Sequence, residues 1–126
     1  MDRVVHFEIP VDNMTRAEKF YQTVFGWKIN IIPLMKYTLV YTTPVDDKQM
    51  HMEKGAINGG MLQRQAPMTS PVITIGVKNI DLSIKSLEKS GGKIVKPKFQ
   101  VGDMGLSAYC KDTEGNITGL WQELKH

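Results

Sequence analysis

The chain has 126 residues, which is the size of one domain or of two small modules that share a core. Hydrophobic residues make up 41% and charged residues 23%, which excludes a disordered polymer and allows a buried core. The balance of 16 Lys+Arg against 13 Asp+Glu gives a net charge of +3. The basic residues are scattered rather than blocked together, which argues against a nucleic-acid partner.

A single cysteine, Cys110, excludes an internal disulfide and an all-cysteine zinc site. No stretch approaches the about 18 apolar residues of a membrane-spanning helix. The first residues also lack the apolar run of an export signal. We therefore expect a cytoplasmic protein that has no membrane partner.

The first half of the chain predicts a strand, a helix and three more strands. Residues 5–11 alternate with period two, as a half-buried strand does. Asp12 and Asn13 then offer cap oxygens to a helix, which Gly26 ends. Further strands are expected over residues 27–32, 36–43 and 56–64. The stretch 46–52, which includes His51, is expected to be a polar loop.

The second half repeats this order. Residues 72–77 alternate, Asn79 or Asp81 caps a helix, and the glycines at 91 and 92 end it. Strands are expected over residues 93–98, 106–111 and 116–124. Because the order and spacing recur, the sequence predicts two βαβββ modules, 1–64 and 71–126, joined by the linker 65–70 within a single domain 1–126.

Two four-stranded sheets that are each covered by one helix leave one face of each sheet for another contact. We predict an α+β fold in which the two βαβββ modules form a curved eight-stranded mixed sheet around a cavity. Near the end of each module, residues 55–61 align with residues 115–121, so that glycines fall on glycines. This alignment makes Gly59 equivalent to Gly119 and Met61 equivalent to Trp121.

Alternate residues of a strand share a face, so strand parity sorts the side chains of this cavity. With Phe7 and Ile9 under the helix, His6 and Glu8 point into the cavity. With Leu62 and Leu120 also under the helices, the cavity is predicted to be lined by Ile57, Gly59, Met61, Gln63, Val72, Thr74, Ile117, Gly119 and Trp121. The two glycines are expected to leave its floor open. A mostly apolar lining with few polar groups is typical of a small-molecule site.

His6 and Glu8 lie two residues apart on one strand, so about 7 Å separates their Cα atoms. One interpretation is a catalytic acid–base pair or a ligand anchor. The other is that Glu8 reaches solvent and His6 is a partly buried residue with a satisfied hydrogen bond. Both interpretations stay open from the sequence.

Several segments resemble the vicinal oxygen chelate superfamily, which includes glyoxalase I, the bleomycin-resistance proteins and the extradiol dioxygenases. They are residues 6–10 (HFEIP), 17–21 (AEKFY), 24–27 (VFGW), 112–116 (DTEGN) and 119–122 (GLWQ). The resemblance runs from about Val4 to Leu124 and implies the glyoxalase/bleomycin resistance/dihydroxybiphenyl dioxygenase-like fold. It does not select one reaction, because this superfamily hosts isomerases, dioxygenases, epimerases and proteins that only bind drugs.

In metal-using members of the superfamily, each module contributes one metal ligand from its first strand and one from its last. Carried over by resemblance, these positions are His6, Val72, Gly59 and Gly119, so His6 is the only matching ligand position. One imidazole, a valine and two glycines cannot hold a divalent ion. We therefore expect no cofactor, and a divalent metal is disfavoured.

The leading interpretation is a metal-free member of the superfamily that binds a small organic molecule in the cavity between the modules, with its reaction open. One alternative is a metal-dependent lyase or isomerase of the glyoxalase I (lactoylglutathione lyase) type, with His6 and Glu8 as surviving ligands. Another is a drug-sequestering resistance protein. The edge strands of the sheets and the resemblance together favour a homodimer.

Overall fold

The computed structural model describes residues 1–47 and 53–124. The predicted α+β fold, with the order strand, helix and three strands occurring twice, is confirmed. The elements are β1 (Arg3–Val11), α1 (Met14–Phe25), β2 (Lys28–Ile32), a 3-10 turn (Pro33–Met35), β3 (Tyr37–Tyr41), β4 (Gly59–Gln63), β5 (Val72–Gly76), α2 (Ile80–Lys89), β6 (Lys93–Val101), β7 (Gly105–Lys111) and β8 (Ile117–Glu123). His51 and most of its predicted loop lie outside the described residues.

The chain divides into two compact units. The first unit is His6–Pro71, and the second unit is Met1–Val5 together with Val72–His126. In each unit, we call the sheet face that packs against the helix the helix face, and the opposite face the far face.

In the first unit the strands are ordered β2-β3-β4-β1. β1 runs parallel to β4. The connection between these two strands is a crossover that contains α1, β2 and β3. The other pairs are antiparallel. The core lies on the helix face, where the buried residues Val11, Val40 and Met61 are surrounded by Phe7, Ile9, Met14, Ala17, Tyr21, Trp27 and Ile29.

Local signals set the limits of α1. The Oδ1 atom of Asn13 accepts a hydrogen bond from the Arg16 amide at 2.9 Å, which caps the first turn. Gly26 ends the helix with a φ of 71°, a left-handed conformation that glycine adopts without a Cβ clash. Its amide donates to the Gln22 carbonyl at 3.0 Å.

The second unit has the equivalent strand order, β5-β8-β7-β6. β5 runs parallel to β8, and β6, β7 and β8 are antiparallel. Asn79 caps α2 through the Leu82 amide at 3.1 Å, and the Gln122 side chain accepts from the Ile80 amide at 2.9 Å. The core again lies on the helix face and contains the buried residues Ile80, Ala108, Cys110 and Leu120.

Within residues 1–47 and 53–124, neither helix has the length and apolar character needed to cross a lipid bilayer.

Candidate functional site

The far face of the first unit carries the polar residues predicted from its first strand. Glu8 lies beside Gly60 in the register of β1 and β4, and it is only 6% exposed. His6, two residues earlier, shares this face by alternation. Its Nε2 atom lies 2.8 Å from the hydroxyl oxygen of Tyr37 on β3. The structure therefore brings a tyrosine that was not predicted to the two candidate residues.

Gly60 makes room for this tyrosine. A Cβ atom at position 60 would overlap the hydroxyl oxygen, Cζ and Cε1 of Tyr37. The tyrosine ring therefore crosses β4 directly over this glycine. The imidazole of His6 and the ring of Tyr37 have centroids 6.5 Å apart and planes inclined by 17°. The absence of a side chain at Gly60 thus permits the hydrogen bond between Tyr37 and His6.

The predicted faces of β4 are wrong. Ile9 lies beside Met61 in the sheet, so Met61 belongs to the helix face and not to the far face. Met61 is 0% exposed and packs with Val11 and Val40 in the core. The physical reason is the Gly59-Gly60 pair: two glycines offer no side chain to mark the register, and a shift of one residue exchanges the faces of the whole strand.

The predicted positions of the other lining residues in this segment are also wrong. A Cβ at Gly59 would lie 2.5 Å from the Phe7 carbonyl oxygen, so no open cavity floor exists there. Gln63 is on the helix face as well, and its Nε2 donates to the Asp12 carbonyl at 3.2 Å. Ile57 precedes β4 and its carbonyl accepts a hydrogen bond from the Thr42 hydroxyl at 2.6 Å, so strand parity does not apply to it.

On the far face of the second unit, parity placed the predicted residues correctly. Thr74 lies beside Gly119 in the register of β5 and β8, and Leu120 packs in the core on the helix face. Thr74 is 7% exposed. The far face also contains the other predicted residues of these two strands, which are Val72, Ile117 and Trp121. A Cβ at Gly119 would lie 2.8 Å from the Thr74 hydroxyl oxygen, so the expected open floor is wrong here too.

Sequence reasoning missed an aromatic group on this second far face. Tyr109 lies beside Gly119 in the register of β7 and β8 and is 8% exposed. Its ring stacks on Phe99 with 6.3 Å between the centroids, and the Nζ of Lys96 lies 4.1 Å from the Phe99 centroid. The alternation along 105–111 could have revealed Tyr109. The neighbouring strand that supplies Phe99 is not readable from local pattern.

Comparisons with known proteins agree with this architecture. A family model named "Bleomycin resistance protein-like N-terminal" matches residues 3–43. Lactoylglutathione lyase of Haemophilus influenzae is 26% identical over 117 residues, which are 90% of this chain and 87% of that protein. A solved glyoxalase/bleomycin resistance protein/dioxygenase superfamily member from Vibrio splendidus has a TM-score of 0.66 at 11% identity, covering 98% of this chain and 100% of that chain.

The chain is similar to members of the glyoxalase/bleomycin-resistance superfamily. Another relative, CFP32 of Mycobacterium tuberculosis, carries a glyoxylase name and is 24% identical over 119 residues. These residues are 94% of this chain but 45% of CFP32, so the chain spans about half the length of that relative. At this level of identity the solved structures establish the fold alone.

The residues at the superfamily's metal-ligand positions do not fit a metal ion. Val72 and Gly119 have no donor atom in their side chains, and neither Gly59 nor its far-face neighbour Gly60 supplies one. The Nε2 atom of His6 is engaged by Tyr37. Across the part of the chain that the structure describes, no three His, Cys, Asp or Glu side chains are grouped as metal ligands. The donor set is thus too small for a divalent cation.

Cys110 offers no alternative chemistry. It is 2% exposed and lies in the core of the second unit. Burial, and secondly the negative charge of Asp112, raise the pKa of its thiol. Since the thiolate is the nucleophilic form, the structure favours a packing role for this cysteine.

Proposed function

We propose that this superfamily member binds a small organic molecule on the far face of its first unit, without the metal ion of its metal-using relatives. The observation that carries the proposal is the hydrogen bond between His6 and Tyr37 next to the buried carboxylate of Glu8. A buried carboxylate is costly unless polar groups satisfy it. Such groups are therefore kept where a protein uses them to recognise or to transform a ligand.

The composition of the far faces supports the same proposal. The first unit presents two tyrosines of β3, Tyr37 and Tyr41, near a few polar atoms. The second presents Tyr109, Phe99 and Trp121 around Thr74. Aromatic surface with sparse polar groups is the usual make-up of small-molecule sites and favours planar ligands. The location of the ligand in a cavity between the modules stays a prediction.

A ligand screen by amide NMR on the full chain tests this function. Planar fragments that bind should shift the amide signals of far-face residues such as Gly60 and Leu62 more than that of Met61. His6→Ala should weaken binding about tenfold, equivalent to about 1.4 kcal/mol. The matched control is Asn30→Ala, which changes a polar residue at the edge of the same face.

Binding of the fragments at one other location would contradict the proposal. A cleft of about 440 Å³ lies beside the start of α1 and is lined by Arg16, Phe20 and Arg64, among others. If every binding fragment shifts the signals of these residues and none shifts those of the far face, the proposed site is wrong. The same conclusion follows if His6→Ala binds the fragments as well as the unchanged chain.

A metal-dependent lyase is the second candidate, and the match to lactoylglutathione lyase over 90% of the chain favours it. It requires ligands that the described residues do not supply. Lactoylglutathione lyase activity that appears on addition of Zn²⁺ or Ni²⁺ and disappears in His6→Ala would establish this candidate. The match to the bleomycin-resistance model favours a drug-sequestering protein instead. Tight binding of bleomycin without turnover would establish that function.

We also propose that the protein is a cytoplasmic homodimer. β2 and β6 each end the strand order of their own unit, and such strands are commonly paired or covered. Light scattering at micromolar concentration should give twice the mass of the chain. A mass equal to a single chain would contradict the dimer.

A further inference from the structure

His6 occupies the one metal-ligand position of the superfamily at which this chain keeps a donor atom. That donor already has a partner within the same unit, because its Nε2 lies 2.8 Å from the hydroxyl oxygen of Tyr37. The distance is typical of a strong hydrogen bond. An imidazole nitrogen that shares a proton with a hydroxyl does not at the same time offer its lone pair to a metal.

The position of the Tyr37 ring requires a glycine at position 60. Any side chain at position 60, including one that could hold a metal, would overlap the outer end of the Tyr37 ring. The phenol therefore occupies the space that a ligand-bearing residue of β4 would need. A metal site in the first unit would require both a different residue at Gly60 and a displaced Tyr37.

We propose that Tyr37 takes the place of the metal ion as the partner of His6, and that the His6–Tyr37 pair binds an uncharged oxygen, carbonyl or hydroxyl, of the small molecule. This inference rests on the function proposed above. When the Tyr37 hydroxyl donates to Nε2, its oxygen accepts from a ligand hydroxyl. When an Nε2–H donates to Tyr37, the hydroxyl donates to a ligand carbonyl.

The surroundings of the pair disfavour an anionic ligand group. Glu8 is buried and lies on the same face, beside Gly60. A second negative charge close to a buried carboxylate is unfavourable. An uncharged oxygen avoids this repulsion, and the pair can match it as a donor or as an acceptor.

The first test observes the side-chain nitrogens of His6 by NMR in the ¹⁵N-labelled full chain. Tyr37→Phe removes only the hydroxyl and should shift the His6 nitrogen signals. Gly60→Ala, which pushes the ring away, should reproduce this shift. The matched control Tyr41→Phe, on the same strand and face, should leave the signals unchanged. One equivalent of Zn²⁺ should also leave them unchanged. A Zn²⁺-dependent shift in the unchanged chain, or no effect of Tyr37→Phe, would overturn the proposal.

The second test compares three probes that share one ring: phenol, acetophenone and benzoate. We expect phenol or acetophenone to shift the His6 signals and to bind about tenfold more weakly to Tyr37→Phe, which is the effect of losing one hydrogen bond. Tighter binding of benzoate would overturn the proposal while leaving small-molecule binding intact. If no probe binds although Tyr37→Phe shifts the signals, the proposed function fails at this face, and with it the ligand part of the inference.

Discussion

In both units an aromatic ring on the far face crosses a glycine of a neighbouring strand. The ring of Tyr37 lies over Gly60 in the first unit, and the ring of Trp121 lies over Gly105 in the second. The partners of the two rings differ. Tyr37 bonds to His6 beside a buried carboxylate, whereas Trp121 shares its face with Thr74 and with aromatic rings. The far face of the first unit thus presents hydrogen-bonding and acidic side chains. The far face of the second unit presents aromatic rings on which a ligand can stack.

The helix faces of the two units are alike. Met61 on β4 and Leu120 on β8 hold corresponding positions, beside Ile9 on β1 and Ile75 on β5 respectively. The predicted equivalence of Met61 with Trp121 is therefore wrong by one residue. Both are buried under the helix of their unit. The common pattern indicates that the closing strand of each unit stabilises the core with the residues of its helix face.

The largest expected effect tests which face of β4 is the core. Met61→Ala should lower the free energy of unfolding by about 2–5 kcal/mol, because it removes a fully buried side chain and leaves a cavity. Leu62→Ala is the matched control on the adjacent, half-buried far-face position and should cost less than half as much. Urea denaturation measures both. A larger loss for Leu62→Ala would restore the register that the sequence predicted.

The two adjacent glycines give the next largest contrast. In Gly59→Ala the new Cβ meets the Phe7 carbonyl oxygen, which belongs to a paired strand and cannot easily move. We expect a loss of about 1–3 kcal/mol. In Gly60→Ala the atoms nearest the new Cβ are at the outer end of a flexible tyrosine ring, so the loss should be smaller. Thermal unfolding of both variants checks the order, and equal losses would argue against the described packing of β4.

A smaller effect concerns a polar contact between helix and sheet. The hydroxyl of Thr38 on β3, which is 1% exposed, donates to the Glu18 carboxylate of α1 at 2.7 Å. Thr38→Val should reduce the stability by about 1 kcal/mol, since it leaves the carboxylate without this donor. Thr118→Val on β8 is the control in the second unit and should be close to neutral. Denaturant unfolding measures the loss of stability in both variants. Equal losses would show that the contact between Thr38 and Glu18 does not distinguish the two units.

The smallest effect is a dependence on pH in the second unit. The amide of Asn116 foremost, together with that of Glu114, lowers the pKa of Asp112 from its ordinary value of 3.8. A lowered native pKa stabilises the fold above 3.8, and this contribution is lost as the pH falls through the native pKa. In acid, the unchanged chain should therefore lose more stability than Asp112→Asn. Parallel acid titration curves would show that the turn contributes nothing.

The fold could be predicted because its signals are local and occur twice. Period-two strands, cap residues such as Asn13 and Asn79, and the helix stop at Gly26 are each visible in a few adjacent residues. On β8 the single glycine at 119 is followed by Leu120, and the assignment of Leu120 to the helix face gave the correct faces.

The first-unit site was only partly predictable. His6 and Glu8 were assigned to the correct face from the alternation of β1. Gly59 and Gly60 carry no side chains to distinguish the two registers of β4, and Met61 was misplaced as a result. Tyr37 was missed because it is 31 residues from His6. A contact between distant residues depends on strand order and register, which no local pattern contains.

Native mass spectrometry of the purified protein, after incubation with Zn²⁺ and desalting, tests the central claim that the first unit binds an organic molecule rather than a metal ion. We expect less than about 0.2 metal ion per chain. A neutral planar probe such as acetophenone should add its mass to the unchanged chain and add less to Tyr37→Phe. One metal ion per chain that is lost in His6→Ala would show that the first unit holds a metal ion instead.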